Sequence, residues 1–253
     1  MISCCTVTQE GRLPLLARAI ADFRGQSVHE KELIVVHDGS PELHGRVSAL
    51  TAQAAAPVSV IRAPQGTTLG ALRNVAIDAA HGEHVCQWDD DDRYHPRRLE
   101  MQLDALRAAG ADASFLVDQL HYFADARELY WDDWQDEPNP LDFVPGSLLA
   151  RRDRLARYPE IARGEDTAQA LAMLREGTRF TRLSGHGYLY VYVFHGSNTF
   201  DRVHHAMISR RRCLRADRLL ALEALLRARL AEYAPPLGAL TMPYEGGRLE
   251  FRR

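Results

Sequence analysis

Apolar positions in the first hundred residues switch repeatedly between the pattern of a buried strand and that of an amphipathic helix. Ile2 to Val7 is a short apolar, β-branched and cysteine-rich run that predicts a strand. Leu16, Ala19, Ile20 and Phe23 then share one face of a helix over Leu13 to Phe23. Leu33 to Val36 is continuously apolar and ends at Asp38-Gly39-Ser40-Pro41, the pattern of a buried strand entering a turn. A helix over Leu43 to Ala55 and a strand over Val58 to Ile61 follow. Leu72, Val75, Ala76 and Ala79 mark a helix from Leu69 to Ala80, stopped near Gly82. His84 to Trp88 reads as a strand running straight into Asp89-Asp90-Asp91-Asp92, and Pro96 opens a helix carrying Leu99, Leu103 and Leu106.

Such alternation implies a mainly parallel sheet with helices on both faces. Ligands of these sheets sit outside the C-terminal ends of the strands. Three polar clusters fall at such ends: Thr8-Gln9-Glu10, His37-Asp38-Gly39-Ser40 and Asp89 to Asp92. The second half is less regular. Residues 121–145 are acidic, aromatic and proline-containing, and predict no regular element. Thr167 to Glu176 predicts a helix and Tyr188 to Phe194 a strand. Arg215 to Tyr233 predicts one amphipathic helix with Leu219, Leu222, Leu226 and Leu230 on its apolar face, ended by Pro235-Pro236.

Composition narrows the classes. A chain of 253 residues can bury about three quarters of its unfolded surface and needs no staples. With 46% hydrophobic and 26% charged residues it is an ordinary globular composition. The 31 basic and 34 acidic residues, net charge −3, argue against a dedicated nucleic-acid binder. Lys31 is the sole lysine, so a function that needs one has a single candidate. No C-x-x-C spacing occurs, which disfavours zinc ribbons and thioredoxin-like sites. Cys4, Cys5 and Cys86 lie in apolar runs and read as small buried hydrophobes, in keeping with a reducing cytoplasm. Neither a signal peptide nor an 18-residue apolar span is present in this sequence. The expected location is therefore cytoplasmic. The arginines of the C-terminal helix leave peripheral contact with the inner membrane open, although core or homodimer packing is the plainer reading.

Four consecutive aspartates at a strand end repel one another unless a cation meets them. Mg²⁺ and Mn²⁺ favour carboxylate oxygen and would resolve the conflict; a solvated acidic turn is the bland alternative. An EF-hand is excluded, because Tyr94 stands where the loop needs glycine and Pro96 intrudes.

At this point a resemblance becomes specific. Leu69-Gly70-Ala71-Leu72-Arg73-Asn74, then Gly82-Glu83-His84-Val85-Cys86-Gln87-Trp88, then Asp89 to Asp92 with His95-Pro96, resembles the core of family 2 glycosyltransferases. Upstream, Glu32 to Ser40 resembles that family's E-I-I-V-V-x-D-G-S segment, and Leu15 to Ile20 with Gln26 its first helix. Downstream, Gly164-Glu165-Asp166 resembles its G-E-D motif. The resemblance implies an α/β fold of GT-A type: a Rossmann-like, mostly parallel central sheet with helices on both faces, plus the C-terminal amphipathic helix. It implies a glycosyltransferase domain over 1–210, with a nucleotide-sugar-binding half (1–110) and an acceptor-side half (111–210), and a helical extension over 211–253.

Carried over residue by residue, the resemblance implies an inverting, metal-dependent hexosyltransferase using a nucleotide-sugar, a UDP-sugar above all. Asp38 matches the base-recognising position, where a carboxylate can accept the uracil N–H. Thr8 and Glu10 match the first-strand loop, although the usual P-T-x-N reads Val7-Thr8-Gln9-Glu10 here. Arg73 is placed to pair with Asp38 or approach the diphosphate, or else makes an ordinary helix salt bridge. Asp89 and Asp90 fall to the ribose and sugar, Asp91 to the Mn²⁺ or Mg²⁺ ion, and Asp92 to a supporting role. His195 matches a late histidine that completes the metal shell in some GT-A enzymes; a structural strand-end histidine is the alternative. Glu165 and Asp166 match the acceptor-side motif, with Asp166 as general base; acids also simply favour helix starts. Trp131 and Trp134 are candidate acceptor contacts, against the alternative that large aromatics fill cores. The acceptor itself stays open among glycan, lipid-linked sugar, peptide and small molecule. Two other functions compete: a catalytically silent nucleotide-sugar-binding protein of the same fold, and a sugar-phosphate nucleotidyltransferase. The latter wants a glycine-rich loop ending in Arg and Lys, whereas residues 6–18 hold only Gly11 and no lysine.

Overall fold

The computed structural model describes residues 1–52, 57–135 and 141–252. The chain begins with β1 (Ile2–Val7), α1 (Leu13–Arg24), β2 (Lys31–His37), α2 (Pro41–Thr51), β3 (Val58–Arg62), α3 (Leu69–Asp78) and β4 (His84–Gln87). Then come β5 (Arg93–Tyr94), α4 (Arg98–Ala108), β6 (Ala113–Leu116), β7 (Asp118–Phe123), β8 (Glu128–Asp133) and β9 (Leu149–Arg151). The last elements are α5 (Glu165–Arg175), β10 (Phe180–Leu183), β11 (Tyr190–Phe194), α6 (Arg202–Arg212), α7 (Ala216–Ala221), α8 (Glu223–Leu230), β12 (Leu240–Tyr244) and β13 (Gly247–Phe251). Residues 53–55 of the predicted second helix lie outside the described residues.

Seven strands form the main sheet in the order β10-β6-β9-β4-β1-β2-β3. All its pairings are parallel except those of β9, which runs antiparallel between β4 and β6. Alternate side chains enter opposite layers, as the strand period requires. Cys4, Leu33, Val35 and Cys86 pack with Leu16, Phe23, Leu43, Val47 and Leu99 of α1, α2 and α4. Cys5, Ile34, Val36 and Val85 pack instead with Leu72 and Ala76 of α3. Further along, Phe115 and Ala150 meet Ala170 and Met173 of α5 on a third apolar cluster. Each fully buried Leu, Ile or Phe contributes about 1.5–3 kcal/mol. Helix ends follow local chemistry. The Ser40 and Thr68 hydroxyls accept from the backbone N–H of Leu43 (3.1 Å) and Ala71 (3.4 Å) at the starts of α2 and α3. Gly177, at φ +79°, ends α5 with Thr178 N–H donating back to the Met173 carbonyl.

A second sheet, β13-β12-β8-β7-β11-β5, packs its apolar face into the same core as α1 and α4. Here the structure departs from expectation. The segment read as irregular holds the antiparallel hairpin β7–β8, with Asp118 opposite Asp133 and Phe123 opposite Glu128; residues 136–140 of that segment lie outside the described residues. No polar–apolar alternation announces the hairpin, because Asp118, Gln119, His121 and Asp132 are themselves buried. The single C-terminal helix is two, broken where Leu222 N–H bonds to the Leu219 carbonyl three residues back. Leu219, Leu226 and Leu230 still bury their side chains in the core. Beyond them, β12 and β13 form a hairpin that extends the second sheet, so residues 211–253 are not helical throughout. Among the described residues no helix is long and apolar enough to cross a membrane.

Candidate active site

Asp89 to Asp92 leave the main sheet at the C-terminal end of β4, and each carboxylate takes a different partner. Asp89 is held by Arg73 Nη2 (2.9 Å) and Gln87 Nε2 (2.9 Å). Asp90, 1% exposed, accepts from Thr8 Oγ1 (2.6 Å) and Arg12 Nη1 (3.0 Å). Asp91 meets Arg12 Nη1 (3.1 Å) and His195 Nε2 (3.1 Å) through the same oxygen, Oδ2. Asp92 turns into the core, accepting from Tyr190 Oη (2.5 Å) and Val193 N–H (2.8 Å). Burial, together with the charge of Asp91, pushes Asp90 up to about 7 against the pull of Arg12. Burial also raises Asp92, reinforced by Asp91 and Asp89. At Asp91 burial pushes the same way, but the His195 bond and the Arg12 charge outweigh it and hold the carboxyl below its ordinary range. The run is therefore divided, with the proton affinity of Asp90 and Asp92 raised and that of Asp91 lowered.

The start of α3 explains why its motif has the residues it has. A Cβ on Gly70 would come within 1.8 Å of the Pro159 carbonyl oxygen, so only glycine lets α3 lie against that segment. One turn on, the Asn74 side chain donates to the Tyr158 carbonyl (2.9 Å) and accepts from its N–H (3.0 Å). Between them Arg73 reaches Glu165 Oε1 with Nε (2.9 Å) and Asp89 Oδ1 with Nη2 (2.9 Å), over the Tyr158 ring. The expected pairing of Arg73 with Asp38 does not form. Arg73 instead joins the aspartate run to the first turn of α5, where Gly164 adopts φ +72° and Glu165 and Asp166 follow. Burial pushes the Asp166 carboxyl above the ordinary aspartate range, against the pull of Arg73.

These groups border one cavity of about 600 Å³. Thr8, Asp38, Arg73, Asp89 to Asp92, Glu165, Asp166 and Trp134 all line it. His195 stands behind Asp91. Two expected site residues sit elsewhere. Glu10 is exposed and accepts from the Ser40 hydroxyl (3.0 Å) outside the cavity. Trp131, 2% exposed, is core, its ring packed so closely on Gly187 that a Cβ there would meet it at 2.9 Å. The hairpin alternation explains the split between the tryptophans: Trp131 faces inward in β8, and Trp134 lies just past the strand end, under the Arg212 guanidinium at 3.9 Å. The sole lysine is structural, donating to the carbonyls of Gln26 (3.0 Å) and Val28 (2.6 Å).

Sequence reasoning missed three features. Arg12 bridges Asp90 and Asp91, and nothing in its neighbourhood in the sequence singles it out. Tyr190 and Tyr192 line the cavity from β11, within the aromatic run that was read only as a strand. Behind Tyr192 lies a fully buried polar chain. Asp132 Oδ2 meets His121 Nδ1 (2.9 Å), His121 Nε2 meets His205 Nδ1 (2.9 Å), and Ser209 Oγ lies 3.1 Å from His121. This chain seats α6, whose His204 and Ile208 line the cavity.

The resemblance implies a divalent ion among these carboxylates. Among the described residues no group of three or more His, Cys, Asp or Glu side chains is arranged to hold a metal. Asp91 Oδ2 and His195 Nε2, 3.1 Å apart, are two convergent donors. Mg²⁺ is characteristically held by one or two carboxylates and completes its shell with substrate phosphates and water, so Asp91 with His195 beside it fits such an ion.

An α/β fold whose acidic strand-end residues face a helix-borne acid pair across one cavity is a GT-A-type transferase architecture. A family model described as glycosyl transferase family 2 matches residues 3–158, more than half of the chain, and the chain belongs to that family. EpsH of Bacillus subtilis (strain 168), named as a glycosyltransferase, is 31% identical over 98 residues, 39% of this chain and 27% of EpsH. Among solved structures, TarS 1–349 of S. aureus in complex with UDP-GlcNAc aligns with a TM-score of 0.62 at 14% identity, covering 92% of this chain and 67% of that one. Its UDP complex aligns at 0.61 and 16% identity, covering 90% and 73%. A longer TarS structure aligns at 0.60 and 17% identity, covering 82% of this chain and 42% of that one. At such identities the likeness is one of fold, and the chain spans under half the length of EpsH and of the longer TarS chain.

Proposed function

We propose that this protein transfers a sugar from a nucleotide-sugar, a UDP-sugar above all, to an acceptor with inversion at the anomeric carbon. The observation that carries the reading is the single cavity bordered by Thr8, Asp38, Arg73 and the aspartate run on one side and by Asp166 on the other. Asp38, whose carboxylate accepts from Gly66 N–H (2.9 Å) through one oxygen, has acceptor lone pairs to offer the uracil N–H. Thr8, Asp89 and Asp90 surround the space for ribose and sugar. Arg73 holds the donor wall to the α5 start, so that the two sides of the reaction keep their separation. Asp166 removes the acceptor's proton as it attacks from the face opposite the leaving diphosphate, and a single displacement of that kind inverts. Burial raises its proton affinity, the direction that strengthens a carboxylate as a base. Asp91 and His195 would hold a divalent ion, which when bound neutralises charge on the leaving diphosphate. Trp134 and Tyr192 offer flat faces to the acceptor. The UDP and UDP-GlcNAc complexes of TarS agree with a uridine donor.

The test is a panel of UDP-sugars assayed with Mn²⁺, followed by Asp166→Asn on the donor that turns over. UDP affinity by calorimetry should stay within about twofold while transfer falls by about 10²–10⁴. Near-wild-type turnover in Asp166→Asn would reject the base. No binding of UDP or of any UDP-sugar with Mn²⁺ would reject the donor class.

A further inference from the structure

Arg12 occupies a singular position. It is the residue that precedes α1, and its side chain crosses to the aspartate run, where one nitrogen, Nη1, lies 3.0 Å from Asp90 Oδ1 and 3.1 Å from Asp91 Oδ2. Its Nη2 donates to the Ser197 carbonyl (3.2 Å), on the loop that carries His195. One guanidinium thus bridges two carboxylates and ties down the loop that supplies Asn198, Thr199 and Phe200 to the cavity wall.

Two details bear on what this arrangement does when the cavity is filled. Asp91 Oδ2, the oxygen shared with His195, is the same atom that Arg12 grips, so a divalent cation and Arg12 compete for it. Two positive groups cannot share one carboxylate oxygen at contact distance without strong repulsion. Moreover, Arg12 Nε is buried and has no hydrogen-bond partner among the described residues. An unpaired buried N–H is costly, and more so on a charged group. A phosphate oxygen entering the cavity, which Arg12 lines, is a natural partner for it, because guanidinium and phosphate pair through parallel N–H donors.

Resting on the nucleotide-sugar reading above, we propose that Arg12 is an internal counter-cation of the donor site. Without donor it holds Asp90 and Asp91. When diphosphate and its divalent ion arrive, it yields Asp91 to the ion and pairs with the phosphate oxygens. The exchange breaks its hold on Ser197, so donor occupancy frees the loop at the acceptor side of the cavity.

The signature is a pair of opposite effects that mere structural damage would not produce. In Arg12→Gln, Mn²⁺ alone should bind roughly tenfold more tightly, because the competing charge is gone, while UDP in saturating Mn²⁺ should bind roughly tenfold more weakly. Mn²⁺ binding is read from the free-ion electron paramagnetic resonance signal, and UDP binding by calorimetry. Arg12→Lys, which keeps one charge but loses the fork, should move both in the same directions by less. Thermal melts establish that both variants are folded. If wild type binds UDP with Mn²⁺ but Arg12→Gln binds Mn²⁺ no more tightly, or UDP no more weakly, the role of Arg12 is overturned and the donor reading stands. If wild type binds neither, both fall.

Discussion

Removing the Arg73 guanidinium should be among the most damaging single changes in the protein. Arg73 is 8% exposed and its partner Glu165 is 3% exposed, so neither charge has water to fall back on. Arg73→Met keeps the aliphatic bulk over Tyr158 but leaves Glu165 and Asp89 without their shared cation. Breaking a buried pair by deleting one member typically costs about 3–5 kcal/mol, most of it the penalty of the orphaned charge. Against a total stability of about 5–15 kcal/mol, that is a large fraction. The origin of the cost can be isolated. Adding Glu165→Gln removes the orphaned charge, so the double variant should recover about 1–3 kcal/mol relative to additivity. The deficit of Arg73→Met should also shrink as pH falls, because burial already raises the proton affinity of Glu165 and a neutral carboxyl needs no cation. Urea unfolding followed by circular dichroism, on wild type, both singles and the double at pH 7.5 and 5.5, gives every quantity. A loss below about 1 kcal/mol in Arg73→Met, the value expected of an exposed pair, would refute the reasoning. So would strict additivity in the double variant.

Two further outcomes follow from the packing and the buried histidines. Gly70→Ala should cost about 1–3 kcal/mol and loosen the segment against α3, since its new methyl lands on the Pro159 carbonyl; Gly45→Ala, in α2 with open space around it, should stabilise by about 0.5–1 kcal/mol. Equal melting shifts for the two would contradict the contact. His205 is pushed down to about 3 by burial, with the nearby His121 and His204 acting in the same direction and Asp91 opposing. An unfolded histidine titrates near 6.5, so the unfolded chain binds the extra proton between these values. Stability from this group is therefore complete above about pH 6.5 and is lost on acidification, at up to about 1.4 kcal/mol per pH unit. His205→Gln should flatten the dependence of the urea midpoint on pH between 6.5 and 4.5; parallel wild-type and variant curves would exclude the assignment.

The first half of the chain was legible because β1, β2 and β4 are buried on both faces and the helices on one. The strands from Ile2 and Leu33 and the helices around Leu16 and Leu72 therefore carry hydrophobic patterns that local reading detects. The same reading failed at β7 and β8, where His121 and Asp132 bond to each other across the hairpin and a polar residue no longer signals an exposed position. It failed at Trp131 and Trp134 for a related reason: three residues separate core from cavity, and only the strand's pairing says which side each faces. Likewise the leucine spacing after Arg215 predicts helix, yet a hydrogen bond spanning three residues at Leu222 divides it.

The amino-acid order by itself determined the strand–helix alternation, the acidic run at the end of β4 and the acid pair that opens α5, because these depend on residues close together in the chain. Only the tertiary structure decided which charge meets which. Arg12 reaches Asp90 and Asp91, and Arg73 spans from Asp89 to Glu165, across separations in sequence of 78 and 92 residues for Arg12–Asp90 and Arg73–Glu165. No local pattern encodes such pairings. They arise because parallel strands bring their C-terminal ends to one edge, where buried carboxylates must find a cation or take up a proton.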